Sequence, residues 1–116
     1  MAILSTGPIE NNPVSGVRPT QSVTVRIVNR SSVSTAGLLI KGYYFNTLKN
    51  LYVSKVLSVA PNETLCRDYF ADLDAFEFMF TTNGIVETEI GVSVWGKQAG
   101  GQRAFAHRVV THEKLG

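Results

Sequence analysis

SVTVRIVNR, residues 22–30, decides the fold. Val23, Val25 and Ile27 fall on one side of an extended chain and Thr24 and Arg26 on the other, the period of two that belongs to a half-buried strand. SSVST then reads as a turn, and AGLLIKGYYFN (36–46) as a second strand rich in large apolar residues. NLYVSKVLSVA (50–60) is a third, with Leu51, Val53, Leu57 and Val59 in phase. Lys55 interrupts that face, which predicts a bulge or a strand end near it. PNET (61–64) has turn chemistry, LCRDYF (65–70) is a short fourth strand, and the acid-rich ADLD (71–74) is a loop. AFEFMF (75–80) sets Phe76, Phe78 and Phe80 on one face and Glu77 and Met79 on the other. Rings of that size each bury about 150–250 Å², so this strand belongs to the core.

Beyond it, TTNG (81–84) reads as a hairpin turn, because Asn-Gly supplies the positive φ angles of tight hairpins. IVETEIGVSVW (85–95) alternates throughout, with Val86, Thr88, Ile90, Val92 and Val94 inward. GKQAGGQ (96–102) is a tip and RAFAHRVVTH (103–112) the last strand. Regular short strands, polar turns and no helical period predict one all-β domain, an antiparallel sandwich or jelly roll of about seven or eight strands. At 116 residues, 44% of them hydrophobic and 17% charged, the chain can build a core without disulfides. It has no apolar run of membrane-spanning length and no basic segment leading into an apolar one, so neither a membrane partner nor export through a standard signal is expected.

The lone cysteine, Cys66, excludes an internal disulfide and Cys-based zinc patterns, and reads as a small apolar strand residue. Charge is segregated. Asp68, Asp72, Asp74, Glu77, Glu87 and Glu89 form a run without Lys or Arg, whereas residues 18–67 carry seven bases against Glu63. Placed at opposite poles, these would favour head-to-tail contact between copies. No catalytic set is legible: His107 and His112 stand near the C-terminus without a nucleophile motif, and the loop acids lack the spacing of a calcium loop. No catalytic residue, cofactor or metal is therefore predicted. Tyr43, Tyr44, Tyr52, Tyr69 and Trp95 offer aromatic faces for single-stranded nucleic acid or carbohydrate. A net charge of +2 and the acidic run disfavour nucleic acid. A monomeric carbohydrate-binding module stays as the alternative reading.

The first nineteen residues differ from the rest. Pro8, Pro13 and Pro19 with Gly7 and Gly16 rule out helix, and Glu10 and Arg18 are the only charged side chains there. Ala2, Ile3, Leu4 and Ser5 can still form a short strand. Extended, such a leader reaches roughly 60 Å, beyond the span of a body this size. Two arrangements compete: it is a disordered tail or folds back as an edge strand of its own domain, or it adds a strand to an exposed sheet edge of the next copy and builds a filament.

STGPIENNP near the start, SVTVRIVN, the APNET and RDYFADLDAFEF blocks and VSVWGK resemble, over nearly the whole chain, subunits of endospore appendages. These are pilus-like fibres on the spores of endospore-forming bacteria, and the thin F-type class is the one resembled. The resemblance implies a jelly-roll subunit made in the mother-cell cytosol without a signal peptide and displayed on the spore surface. Its N-terminal connector would insert into the preceding subunit of a helical homopolymer, with an anchor protein on the spore and a tip protein as further partners. Carried onto this chain, the connector is Ala2, Ile3, Leu4, Ser5, Thr6, Gly7 and Pro8, with Ile9 at its end. Residues 1–19 would then be connector and hinge, the hinge running from Ile9 to Pro19, and residues 20–116 the sandwich. Other appendage classes use several N-terminal cysteines as cross-links; this leader has none, so strand addition and packing would have to hold the fibre.

Overall fold

The computed structural model describes residues 2–83, 90–98, 103–107 and 110–114. They form an antiparallel β-sandwich, and no helix occurs among them. The strands are β1 (Ala2–Ser5), β2 (Ile9–Glu10), β3 (Ser22–Asn29), β4 (Ala36–Phe45), β5 (Lys49–Val59), β6 (Thr64–Phe70), β7 (Ala75–Asn83), β8 (Ile90–Lys97), β9 (Arg103–His107) and β10 (Val110–Lys114). One sheet runs β10-β1-β7-β4-β5, with β2 also on β7; the other runs β6-β3-β8-β9. Only β4–β5 and β8–β9 are hairpins within a sheet. The β2–β3, β3–β4, β5–β6, β6–β7, β7–β8 and β9–β10 connections join strands of different sheets, which is what welds the two layers together.

Alternation dictates the core. Val23, Val25 and Ile27 of β3 face Phe76, Phe78 and Phe80 of β7 across the sandwich, all fully buried. Leu38 and Ile40 join from β4, Val59 from β5 and Val94 from β8. Gly42 occupies the next inward position of β4, and a Cβ there would stand 2.9 Å from the Phe78 ring and 2.9 Å from Val53 Cβ. The ring fits against the strand only because that position is glycine.

Three details depart from the reading of the sequence. Thr81–Asn83 is strand and not turn: Thr81 pairs with Ile3 and Leu39, and Thr82 with Ala2 and Leu38, so neighbours on both sides hold the segment extended. Gly84 and residues 85–89, with Val86, Thr88, Glu87 and Glu89, lie outside the described residues, as does the tip at 99–102. The bulge in β5 sits at Tyr52 and not at Lys55. Gly42 pairs with Val53 and Tyr43 with Leu51, so Tyr52 is the extra residue, and both Tyr52 and Val53 pack on the core while Leu51 turns outward. Lys55 keeps its register and its exposure on an open edge strand, where a charge deters edge-to-edge pairing. Finally, the last strand divides, β9 pairing with β8 in one sheet and β10 with β1 in the other.

The leader is part of this body. β1 lies between β7 and β10, antiparallel to both. Pairing with β7 runs from Ala2↔Thr82 to Ser5↔Met79, then resumes at Ile9↔Phe76 and Glu10↔Ala75. The leader thus holds one residue more than β7 over that interval, a bulge at Thr6-Gly7-Pro8. Gly7 has φ 67°, a left-handed conformation that favours glycine, and proline is tolerated at a bulge because no ladder hydrogen bond is asked of it. In the isolated chain the leader therefore takes the folded-back arrangement, as an interior strand and not at the edge.

Candidate functional site

The site follows from placing the predicted connector residues one by one. Leu4 faces the core opposite Phe80, 9% exposed and part of the buried cluster. Ile3 turns the other way and is half-buried beside Thr81. Ser5, also on the outer face, is fully buried, and its hydroxyl donates to Glu77 Oε2 at 2.6 Å while accepting the Gly7 N–H at 2.8 Å. Thr6 bonds Phe78 twice: its N–H donates to the Phe78 carbonyl at 3.1 Å, and its Oγ1 accepts the Phe78 N–H at 3.1 Å. Ile9 packs against the core from β2. All of these contacts are made within the same chain, and the hydrogen bonds to Glu77 and Phe78 are with β7.

Glu77 is the residue the sequence did not single out. Period two sets it correctly on the outer face, yet its side chain is only 7% exposed because Ser5 and Lys49 cover it. Lys49 Nζ stands 3.2 Å from Glu77 Oε1, 3.9 Å from Met79 Sδ and 4.3 Å from the centre of the Tyr43 ring. A buried carboxylate without such partners would cost several kcal/mol, roughly the scale of a whole domain's stability margin. Hydroxyl, carboxylate and ammonium do meet here, but the Ser5 side chain is fully enclosed, which leaves no approach for a substrate.

Past the bulge a second set of contacts ties the leader down. Asn11 is 2% exposed; its amide nitrogen donates to the carbonyls of Thr20 (2.6 Å), Ala71 (3.1 Å) and Leu73 (3.0 Å), and its oxygen accepts the Thr20 N–H at 2.9 Å. The Asn11 N–H donates to the Asp74 carbonyl at 2.7 Å. Between these points the chain reverses at Ser15 (φ 54°) and Gly16 (φ 81°), closed by paired hydrogen bonds between Val14 and Val17. Arg18 then bridges Asp72 at 3.1 Å and Asp74 at 2.9 Å. Hydrogen bonds to Asp74 and Asp72 push the Arg18 guanidinium further up from its ordinary pKa. Residues 9–19, the expected hinge, are thereby stapled to the loop between β6 and β7.

These pairs also change the reading of the acidic run. Asp68 is bridged by Lys97 at 3.4 Å, Asp72 and Asp74 by Arg18, and Glu77 by Lys49. A hydrogen bond from Thr24, then Lys97, holds the Asp68 carboxyl below its ordinary pKa. Each of the four described acids of this run has a cationic partner within the chain, three cations serving four carboxylates.

The other candidates do not converge. Tyr52 and Tyr69 belong to an aromatic chain through Phe78, with centroids 6.2 and 5.7 Å from its ring, and Tyr44 meets Tyr52 edge-on at 5.9 Å. The Tyr52 hydroxyl donates to the Phe70 carbonyl, joining the β5 and β6 edges, and burial pushes its pKa up to about 12. Tyr43 lies on the outer face of one sheet under Lys49. Trp95, opposite Thr24, lies on the outer face of the other, with the Arg26 guanidinium 6.0 Å from its ring centre. Aromatic rings on opposite faces make no shared stacking platform. Cys66 is exposed and free, in contrast to the apolar burial expected of it. The side chains of His107 and His112 lie outside the described residues. Among the described residues no group of metal-ligating side chains gathers.

No protein-family model matches the chain, and no curated protein is similar to it in sequence. Two solved structures are similar in fold. The crystal structure of Thermotoga maritima 1070 superposes with a TM-score of 0.57 at 11% identity, over 96% of this chain and 90% of that one. A sensory rhodopsin transducer from Anabaena gives a TM-score of 0.54 at 15% identity, over 81% of this chain and 94% of that one. At such identities the likeness is one of fold alone.

Proposed function

We propose that the chain is a non-enzymatic structural subunit that polymerises head-to-tail by exchanging its N-terminal strand. The observation that carries this reading is the position of β1: Ala2–Ser5 forms an interior strand, with β7 on one side and β10 on the other. A slot flanked on both sides offers two rows of backbone hydrogen bonds and an apolar pocket for Leu4, and nothing in it requires that the occupant come from the same molecule. Exchange of an identical element between copies keeps every contact and replaces only the connection. Insertion into its own slot closes the monomer; insertion into the next copy leaves a free slot at one end and a free strand at the other, which propagates a filament.

The staple at Asn11 limits the reach. With residues 9–11 held on β7 and Thr20, the part of the described leader that can exchange is residues 2–8, extending about 24 Å. That exceeds the shortest dimension of a body measuring 49 × 29 × 19 Å and falls short of the other two. Neighbouring copies would therefore abut closely, the accepting slot opening near Pro8 of the donor. Together with the resemblance to spore appendage subunits, this supports an extracellular fibre on the spore surface, built from this chain, with anchor and tip proteins at its ends.

Sizing and negative-stain microscopy of the full chain across a concentration series test the proposal. Filaments are expected from the parent chain and none from Leu4→Asp, which places a charge in the buried pocket. A parent chain that stays a single monomeric species at every concentration contradicts it.

A further inference from the structure

The apolar pattern of β1 does not set its own phase. Ile3 and Leu4 are adjacent, so a slip by one residue would place Ile3 in the pocket of Leu4 against Phe80 and turn Leu4 outward beside Met79. One branched side chain of the same size would replace another. A four-residue strand with two consecutive apolar residues is the case in which hydrophobic alternation fails to fix register.

We infer that the Ser5–Glu77–Lys49 cluster is the register lock of the strand slot, selecting an occupant with a hydroxyl at the position of Ser5. The hydroxyl is fully buried and 2.6 Å from Glu77 Oε2, while Lys49 holds the other carboxylate oxygen at 3.2 Å. Lys49 is the only cation bridged to Glu77 among the described residues. A slip by one residue turns the Ser5 side chain to the inner face. Glu77 then loses its only described hydroxyl donor while still enclosed by β4, β5 and the incoming strand. An unmatched acceptor on a buried carboxylate costs more than the slip gains from swapping two aliphatic side chains. Thr6, whose Oγ1 accepts the Phe78 N–H, reinforces the same register. A buried polar contact that spends stability to select one alignment has precedent in the register-setting polar residues of coiled coils. The lock operates alike whether the slot is filled by the chain's own terminus or by a neighbour's, so it does not depend on polymerisation.

Disulfide trapping in the full chain, with Cys66→Ser throughout, reads the register directly. Ile3→Cys with Thr81→Cys captures the described alignment, and Leu4→Cys with Met79→Cys captures the slipped one; intrachain and interchain bonds both count. The ratio of the two yields is compared between Ser5→Thr and Ser5→Val, side chains of one shape that differ by the hydroxyl. Ser5→Thr should keep the parent ratio within about twofold and Ser5→Val should lower it about tenfold or more, the scale of a hydrogen bond to a charged group. Equal ratios for the two overturn the inference. If the Ser5→Val chain does not fold, Glu77→Gln, which keeps the shape and removes the charge from the group that accepts the Ser5 hydroxyl, carries the test. It should lower the ratio at least about threefold, the difference between a hydrogen bond to a charged and to a neutral acceptor, and a ratio within twofold of the parent overturns the lock.

Discussion

Replacing Asn11 by alanine should cost more than any other single polar substitution in the leader. Its amide donates to three carbonyls at 2.6, 3.1 and 3.0 Å and accepts one N–H at 2.9 Å, with the side chain 2% exposed. A neutral hydrogen bond contributes about 1 kcal/mol net, and each buried partner left without one costs about 1–3 kcal/mol. Thr20 is fully buried, so its N–H has no ready access to water. Allowing that the carbonyls recover part of the loss through water, the expected cost is about 3–5 kcal/mol. With an unfolding entropy near 2.1 cal/mol/K per residue, a chain of 116 residues loses roughly 4 °C of Tm per kcal/mol, so Tm should fall by about 12–20 °C. Differential scanning calorimetry with matched circular-dichroism melts is the assay. Arg18→Ala is the internal control: it removes both salt bridges of the same strap, but the Asp partners are well exposed, and its shift should be much smaller. A Tm loss for Asn11→Ala no larger than that of Arg18→Ala would refute the assignment of the clasp to the amide.

Other consequences are open to direct measurement. Gly42→Ala drives a methyl to within 2.9 Å of the Phe78 ring and of Val53, and should lower stability by about 1–3 kcal/mol in urea titrations. Leu4→Asp should lower Tm as well as abolish filaments, because Leu4 belongs to the core of the chain that binds it; an unchanged Tm would mean the pocket is empty in the isolated molecule. Tyr52, with its pKa raised to about 12 by burial, favours folding fully below the ordinary phenol value of 10.0, and that contribution is lost as pH rises through about 12. Phenolate absorbance should show a late step that Tyr52→Phe removes. Asp68 shifts the opposite way: its lowered pKa contributes stability above the ordinary 3.8 that disappears as pH falls through the folded value. The stability gap between the parent and Asp68→Asn should close on acidification and persist at neutral pH.

Much of the sandwich was legible because it follows from local alternation. Val23, Val25, Ile27 and the three phenylalanines of β7 are inward as period two requires, and β3 to β6 fall where the apolar phases put them. What alternation does not carry is pairing between distant segments. Thr81 and Thr82 look like turn residues until Ile3 and Ala2 come alongside. The bulge goes to Tyr52, because close packing of Gly42 and Phe78 fixes the register there, and not to Lys55, whose charge simply faces solvent. Asn11 and Glu77 were invisible as structural residues for the same reason: their partners lie about sixty residues away for Asn11 and seventy-two for the contact between Ser5 and Glu77. The sequence signal for Glu77 was a carboxylate between two phenylalanines, whereas Asn11, between Glu10 and Asn12, carried none.

The most direct measurement of the central claim mixes two chains that can cross-link only with each other. Chains carrying Ile3→Cys and chains carrying Thr81→Cys, both with Cys66→Ser, are refolded together under mild oxidation. Strand exchange predicts disulfide-linked heterodimers joining the N-terminal strand of one chain to β7 of the other, at yields well above those of unpaired surface positions. If the two chains remain separate and the double variant Ile3→Cys/Thr81→Cys closes only within single molecules, the strand serves its own body alone and the fibre proposal fails.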